Sequence, residues 1–292
     1  MVPAFYVGDV KLPSQNKLFL SLRYDNDVNT WKSIQSFLSK QIDDSKIVKS
    51  IENHLKNIYE SDEKTLSEVR LLTGHLREKN NSEDENNREA SRVRQISSFL
   101  KDLPAHPRYL DIGCSEGKLT NAIVSYLKIK KEDAFACDVV PLRNMPSKFN
   151  FVLSQQDILP FSGQDFDLVT MFMCAHHFTD ASKMFREAKR VLKKGGVLII
   201  REHNVTDDPH DTSAVQKKIF LDIVHSLYEC CFADETTPEN FAKRYNDDPD
   251  KFARYRNILQ WKEIAKSAGF KAKGVPLETK DRFFSFYQLF IT

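Results

Sequence analysis

Nine residues near the middle of the chain, Tyr109-Leu-Asp-Ile-Gly-Cys-Ser-Glu-Gly117, join a short apolar strand to a helix through a turn that holds Gly113 and Gly117. Glycine lacks the Cβ that keeps a ligand off the backbone, and the first N–H groups of a helix favour electronegative ligand atoms. Asp138 closes the next strand, roughly 20 residues on, where an acid can accept hydrogen bonds from both hydroxyls of a ribose. Asp157 follows a third strand in Gln155-Gln-Asp-Ile158, where it can accept from an adenine amino group while Ile158 packs on the ring. Each residue alone also suits an ordinary turn or loop. In this order they describe a nucleoside site.

A second set of polar residues lies downstream. Arg201-Glu-His-Asn204 follows the apolar run Val197 to Ile200 directly, and polar groups so placed are costly unless solvated or used. Asp222, His225 and Tyr228-Glu229 recur at spacings of three and four, which puts them along one face of a helix. That helix is expected to carry His225 and Tyr228 over the strand end beside Glu202 and His203. A solvated loop and a solvated helix face are the plainer alternatives. Asp207-Asp208 and His210 are close in sequence, but Pro209 suggests a turn and no further ligands follow, so no metal is expected.

The elements that must hold these residues change character near residue 100. Helical spacing of Trp31, Ile34, Phe37 and Leu38, then Ile47, Ile51, Leu55 and Ile58, then Leu66, Val69 and Leu72, predicts two or three helices from Asn29 to about Lys79. One strand is expected at Leu18 to Leu22. The polar stretch near 79–89 suits an exposed linker, and a short amphipathic helix through Val93, Ile96, Phe99 and Leu100 ends before Pro104. From Arg108 strands and helices alternate. Strands are expected at Tyr109–Ile112, Ala134–Cys137, Phe151–Leu153, Phe166–Cys174 and Val197–Ile200. A helix from about Lys118 to Leu127 follows the first, and another from about Ala181 stops at Gly195-Gly196. This is the α/β pattern of a mostly parallel sheet with helices on both faces. After a helical stretch from about Ala214 to Ala268, two closing strands are expected at Gly269-Phe270 and Phe283–Ile291. Residues 1–100 thus form a mainly helical region, and 101–292 a core with a helical insertion at about 205–265.

The ordered set Asp111-Ile-Gly113, Asp138, Asp157-Ile158, Leu159-Pro-Phe161, Phe166-Asp-Leu-Val169, His176-His177-Phe178 and Val191-Leu-Lys-Lys-Gly-Gly196 resembles class I methyltransferases of the type 11 group. The resemblance implies a Rossmann-like seven-stranded, mostly parallel sheet with an antiparallel last strand, and S-adenosyl-L-methionine as cofactor. It assigns cofactor binding to Asp111, Gly113, Cys114, Ser115, Gly117, Asp138, Val139, Asp157, Ile158, Met173 and His176. Ser115 stands where the family often has glycine, which is tolerable if its backbone keeps to a common region. Arg201-Glu-His-Asn204 with the downstream helix also resembles methyltransferase domains carrying an Arg-Glu-His-Asp-like motif. That likeness implies His203 or His225 as base or acceptor-orienting group, with Glu202 fixing its tautomer and Tyr228 beside them.

Met173-Cys-Ala-His176 is not the Asn-Pro-Pro-Tyr or Asp-Pro-Pro-Tyr of DNA-base and glutamine methylation, nor does it supply the Asp of ribose 2′-O-methyltransferases. The expected acceptor is therefore a small molecule or RNA. Cap-type RNA methylation is the narrower alternative. Its support is the cluster Lys189-Arg190, Lys193-Lys194, Lys243-Arg244, Arg254 and Arg256, interleaved with Phe241, Tyr245, Phe252 and Tyr255. A catalytically inactive binding subunit on the same fold is the third reading. The N-terminal helices can cover the acceptor, recruit a protein partner or mediate dimerisation.

Bulk composition agrees with a globular enzyme: 292 residues, 41% hydrophobic, and 43 basic against 41 acidic residues, so net charge names no nucleic-acid partner. Five cysteines without a CxxC pair argue against a disulfide framework or zinc site. No apolar run approaches the ~20 residues of a membrane span and Met1–Val10 lacks the features of a signal peptide, so a cytoplasmic location is expected.

Overall fold

The structure, a computed structural model, describes residues 18–19, 28–56, 61–74, 83–141, 148–155, 157–206, 208, 210–232, 236–247, 253–279 and 283–292. In chain order its elements are α1 Val28–Gln41, α2 Ser45–Lys56, α3 Asp62–Thr73, α4 Glu83–Ile96, β1 Tyr109–Ile112, α5 Lys118–Leu127, β2 Ala134–Asp138 and β3 Asn150–Leu153. There follow β4 Phe166–Phe172, α6 Ala181–Val191, β5 Leu192–His203, α7 Thr212–Leu227, α8 Pro238–Asp247, α9 Ile258–Ser267, β6 Lys271–Glu278 and β7 Ser285–Ile291. No helix among the described residues is long and apolar enough to cross a membrane.

The chain forms two compact units, Met1–Asn81 with Asp207–Ala253, and Ser82–Thr206 with Arg254–Thr292. The first is helical. Ile34, Phe37 and Leu38 of α1, Val48, Ile51 and Leu55 of α2, Leu66 and Val69 of α3, and Phe220, Ile223 and Leu227 of α7 are buried, as their spacing requires. Phe37 meets Phe232 edge to face at 5.8 Å. The Arg70 guanidinium of α3 donates to the carbonyls of Cys230 and Thr236, at 2.9 and 3.0 Å, which ties the turn after α7 to α3. The buried Asp62 carboxylate accepts from the amides of Leu18 and Phe19. Those two residues are helical rather than part of a strand; residues 20–22 lie outside the described ones.

The second unit holds one sheet of order β3-β2-β1-β4-β5-β7-β6, parallel except that β7 runs against both neighbours. Strands buried on both faces read as near-continuous apolar runs, and Tyr109–Ile112 is buried throughout. One face is covered by Met184, Phe185 and Ala188 of α6 and Trp261 and Ala265 of α9, packed on Leu198 and Ile200. The other is covered by Val93 and Ile96 of α4 and Ile123 and Val124 of α5, packed on Leu168 and Ile199.

Several boundaries differ from the sequence reading: β4 ends at Phe172 rather than Cys174, and the strand expected at Gly269-Phe270 lies instead at Lys271–Glu278. Residues 83–89, expected as linker, open α4, and that helix belongs to the sheet unit because Val93 and Ile96 cover the sheet. The insertion returns at Arg254 and groups with the N-terminal helices, so the division is not a simple cut at residue 100. β5 begins at Leu192 and runs through Gly195-Gly196 to His203, longer than expected at both ends. Pairing sets one line of strand ends: Ile112 lies beside Cys137 and Met171, Phe172 beside Arg201, and His203 beside Ser285. The strand order reverses between β1 and β4, where open α/β sheets bind ligands beyond the carboxyl ends.

Candidate active site

The turn after β1 is built from left-handed backbone. Gly113, Ser115 and Gly117 have φ of 73°, 47° and 67°. A Cβ on Gly113 would lie 2.6 Å from the Cβ of Cys174, and one on Gly117 2.4 Å from Phe149 Cζ, so neither position admits a side chain without displacement. Ser115 does not keep to a common backbone region as expected. It sits in the left-handed well, at a cost of about 1–2 kcal/mol for a residue with a Cβ. The amides of Gly113 and Cys114 are spent on the Cys137 carbonyl, at 2.9 and 3.3 Å.

Asp111 lies beneath the turn. Its Oδ2 accepts from Thr120 of α5 and its Oδ1 from Thr170 of β4, both at 2.6 Å, and Tyr109 bonds Thr170 at 2.9 Å. The carboxyl is raised to about 6, first by burial and against the two hydroxyl bonds, with Asp138 adding to the rise. Asp111 thus locks α5 to two strands beneath the cleft. Asp138, at the end of β2, is half-buried and accepts from the amides of Ser115 at 2.9 Å and Val140 at 3.2 Å. A carboxylate has about four acceptor positions, so it retains capacity. Val139 and Ile158 are exposed, both at 49%. Asp157 has φ of 64°, and its buried Oδ1 has no hydrogen-bond partner among the described residues.

Beyond β4, Met173 also takes positive φ, 57°, while its amide donates to the Arg201 carbonyl at 2.7 Å. Cys174 donates to the Ile112 carbonyl at 3.1 Å, and a single 3-10 turn, Ala175–His177, follows. Glu202 and His203 do not emerge into a loop: they are the last residues of β5 and are buried, as is Arg201. Arg201 donates to Ser285 at 3.0 Å and covers the Tyr287 ring.

Glu202 orients a different histidine from the one expected. Its Oε2 lies 2.7 Å from Nδ1 of His176, and its Oε1 accepts from the Ala175 amide at 2.7 Å. His203 instead places Nδ1 2.7 Å from the carbonyl of Phe283. Burial pushes His176 well below its ordinary range, with His177 and Arg256 adding to the fall. Burial likewise takes His203 down to about 3, aided by His176 and opposed by Glu202, and raises the Glu202 carboxyl against His203 and the Ala175 amide. Both imidazoles are therefore neutral at pH 7. The chain returning from the insertion completes this cluster. The Arg254 amide donates to the His176 carbonyl at 2.7 Å, Tyr255 stacks on His176 at 5.7 Å, and Asn204 pairs with Arg256.

The structure thus brings Asp111, Gly113, Cys114, Ser115, Gly117, Asp138, Val139, Asp157, Ile158, Met173, His176, Glu202 and His203 into one unit. His225 and Tyr228 belong to the helical unit, His225 near the end of α7 and Tyr228 opening the π-turn Tyr228–Phe232. Glu229 there pairs with Arg244, and Asp222 accepts from Tyr245. Much of the basic cluster is committed internally. Arg190 pairs with Glu187, Lys193 with Asp167, Lys189 with the Gly269 carbonyl, and Arg254 with that of Thr179. Phe252 lies outside the described residues. Thr120 and Thr170 escaped the sequence reading, although hydroxyls beside a strand-end acid are a signal for both, and Tyr255 reads there only as part of the basic, aromatic cluster rather than as a neighbour of His176.

A seven-stranded sheet of this order with one reversed strand defines the class I methyltransferase architecture. A family model described as "Methyltransferase domain" matches residues 84–273, and the chain belongs to that family of S-adenosylmethionine-dependent methyltransferases. It is 31% identical over 111 residues to an uncharacterized methyltransferase, YcgJ, of Bacillus subtilis (strain 168), covering 36% of this chain and 44% of that protein. It is 32% identical over 119 residues to the ubiquinone/menaquinone biosynthesis C-methyltransferase UbiE of Edwardsiella ictaluri, covering 39% and 43%. The chain thus spans less than half the length of these relatives. The solved CurJ carbon methyltransferase shares the fold, with a TM-score of 0.52 and 15% identity over 89% of this chain and 70% of that one.

Proposed function

We propose that this chain binds S-adenosyl-L-methionine along the β1–β2–β3 strand ends and transfers its methyl group to a small-molecule or RNA acceptor beyond β4 and β5. The observation that carries the reading is the buried Asp157 Oδ1 lacking a partner among the described residues, next to the exposed Ile158. A buried acceptor left unpaired costs about 1–3 kcal/mol, and an adenine amino group satisfies it while the ring covers Ile158. Asp138, aimed by the Ser115 and Val140 amides, takes the ribose hydroxyls. Gly113 and Gly117 let the turn pack directly on Cys174 and Phe149 at positive φ, which sets the backbone along which the rest of the ligand is proposed to lie. The residues present therefore fit the cofactor.

When bound, the cofactor supplies an electrophilic methyl on a positively charged sulfur. The protein's part is to hold acceptor and methyl in line, which can contribute several kcal/mol, and to manage the acceptor's proton. A small-molecule acceptor is favoured over RNA because Arg190, Lys193 and Arg244 are paired within the chain, and because the similar UbiE is named a ubiquinone/menaquinone biosynthesis C-methyltransferase. Calorimetric titration with S-adenosyl-L-methionine tests the reading. Saturable binding, weakened in Asp157→Ala and Asp138→Ala, is expected; an absence of binding to the wild-type chain contradicts it.

A further inference from the structure

We propose that Glu187 and Arg190 of α6 are positioning residues for the adenine base: they clamp the chain that leaves the Asp157 turn, so that Asp157 and Ile158 hold the edge and face that select adenine. The inference rests on the reading of those two residues as the adenine contact. It makes one turn of a helix on the face of the sheet part of the nucleoside site.

The clamp is built from a side-chain pair and two backbone positions. Arg190 Nε and Nη2 meet the two Glu187 oxygens at 2.7 Å each, a fork-to-fork pair at spacing i, i+3. The same guanidinium donates from Nη2 to the Leu159 carbonyl at 3.0 Å and from Nη1 to the Phe161 carbonyl at 2.8 Å. Glu187 Oε2 also accepts from the Leu159 amide, at 3.0 Å. Leu159 is thus held by both its N–H and its C=O, and its side chain is buried. The Phe161 ring meets Phe166 edge to face at 5.2 Å, which fixes the far end of the clamped segment. The bond from Arg190 holds the Glu187 carboxyl below its usual range against partial burial, with the Leu159 amide contributing.

The turn upstream is what needs this clamp. Asp157 is left-handed, with φ of 64°, and its buried Oδ1 has no hydrogen-bond partner among the described residues. Backbone strain of that kind persists only where the surrounding chain over-determines it. On the entry side the Ser154 amide donates to the Asp138 carbonyl at 2.9 Å, and Gln155 and Ile158 bridge across the turn. On the exit side the fixed point is Leu159, the residue next to Ile158. The entry bond joins the turn to the acid read as the ribose acceptor, and the exit bonds join it to α6. An ion pair this exposed adds little stability by itself. Its charges are spent instead on backbone groups beside the turn, where charge-assisted bonds are strong and directional.

Two ligands titrated calorimetrically into the full chain test the clamp. One is S-adenosyl-L-homocysteine, and the other its 6-deamino analogue, in which hydrogen replaces the adenine amino group. The wild type is expected to prefer the adenine compound on the order of tenfold, because only that compound satisfies Asp157. Arg190→Lys, which keeps the charge but not the fork, and Glu187→Ala are each expected to cut the preference to about threefold or less by weakening the adenine compound alone. In an Asp157→Ala background the same changes should alter its affinity by less than about twofold, since the clamp acts through Asp157. Exchange of the Leu159 amide, followed without ligand, should speed on the order of tenfold in Glu187→Ala. An unchanged preference in both variants, or an equal loss for both compounds, overturns the clamp and leaves the pair a staple of the fold. A wild-type chain that binds the two compounds equally overturns the Asp157 assignment, and one that binds neither overturns the cofactor reading; the clamp falls with either.

Discussion

Asp111→Asn isolates the buried acid beneath the glycine turn after β1. Asp111 is raised from 3.8 to about 6 by burial, although Thr120 and Thr170 bond both of its oxygens. A carboxyl whose pKa is higher in the folded chain takes up its proton there first, so its contribution to stability is full below about 3.8 and is lost as pH rises through about 6. The shift of about 2 units corresponds to roughly 3 kcal/mol in all, of which roughly 1.4 kcal/mol falls between pH 5 and pH 7. The asparagine removes this titration but keeps an oxygen for one threonine and an NH2 for the other. Other carboxylates move both proteins alike, so the difference between wild type and variant carries the signal. Urea unfolding followed through buried Trp261, in a Trp31→Phe background, reads the sheet unit. Relative to Asp111→Asn, the wild type should gain on the order of 1 kcal/mol from pH 7 to pH 5. A pH-independent difference, or one of opposite sign, would refute the assignment of burial as the dominant cause.

Gly117→Ala places a Cβ 2.4 Å from Phe149 at φ of 67°, and should cost about 2–4 kcal/mol from left-handed strain and overpacking together; a thermal melt within 1–2 °C of wild type contradicts it. Ser115→Gly relieves a side chain held at φ of 47°. The relief of about 1–2 kcal/mol is partly offset by the looser unfolded chain, so stability should hold or rise by up to about 1 kcal/mol in urea titration, and a clear loss would refute the strain. Asp138→Ala should weaken S-adenosyl-L-methionine binding by on the order of 1–3 kcal/mol, measured by calorimetry; unchanged affinity removes the ribose assignment.

The alternation of strand and helix was readable because β1, β2, β4 and the Val197–Ile200 stretch of β5 are apolar runs, whereas the helix end was misplaced, since α6 closes at Val191 and Gly195-Gly196 lie within β5. The placement of Asp138 at the end of β2 was readable for a related reason: position on a strand end is a local property. The pairing of Glu202 with His176 was not. It depends on Phe172 lying beside Arg201 in the β4–β5 register, which no local pattern encodes. The polarity of Arg201-Glu-His203 suggested a loop, yet these residues extend the strand because β7 and the 3-10 turn after β4 supply their partners. Residues 83–89 read as linker because they carry almost no apolar face, whereas the helix is anchored downstream by Val93 and Ile96. The grouping of α7 and α8 with the N-terminal helices is set by contacts such as Arg70 with Cys230, distant in sequence.

A crystal structure of the complex with S-adenosyl-L-homocysteine bears on the central claim most directly. The account requires the adenine on Ile158 with its amino group at the Asp157 carboxylate, and the ribose hydroxyls at Asp138. A nucleoside seated elsewhere, with Asp157 Oδ1 met by another protein group, contradicts it.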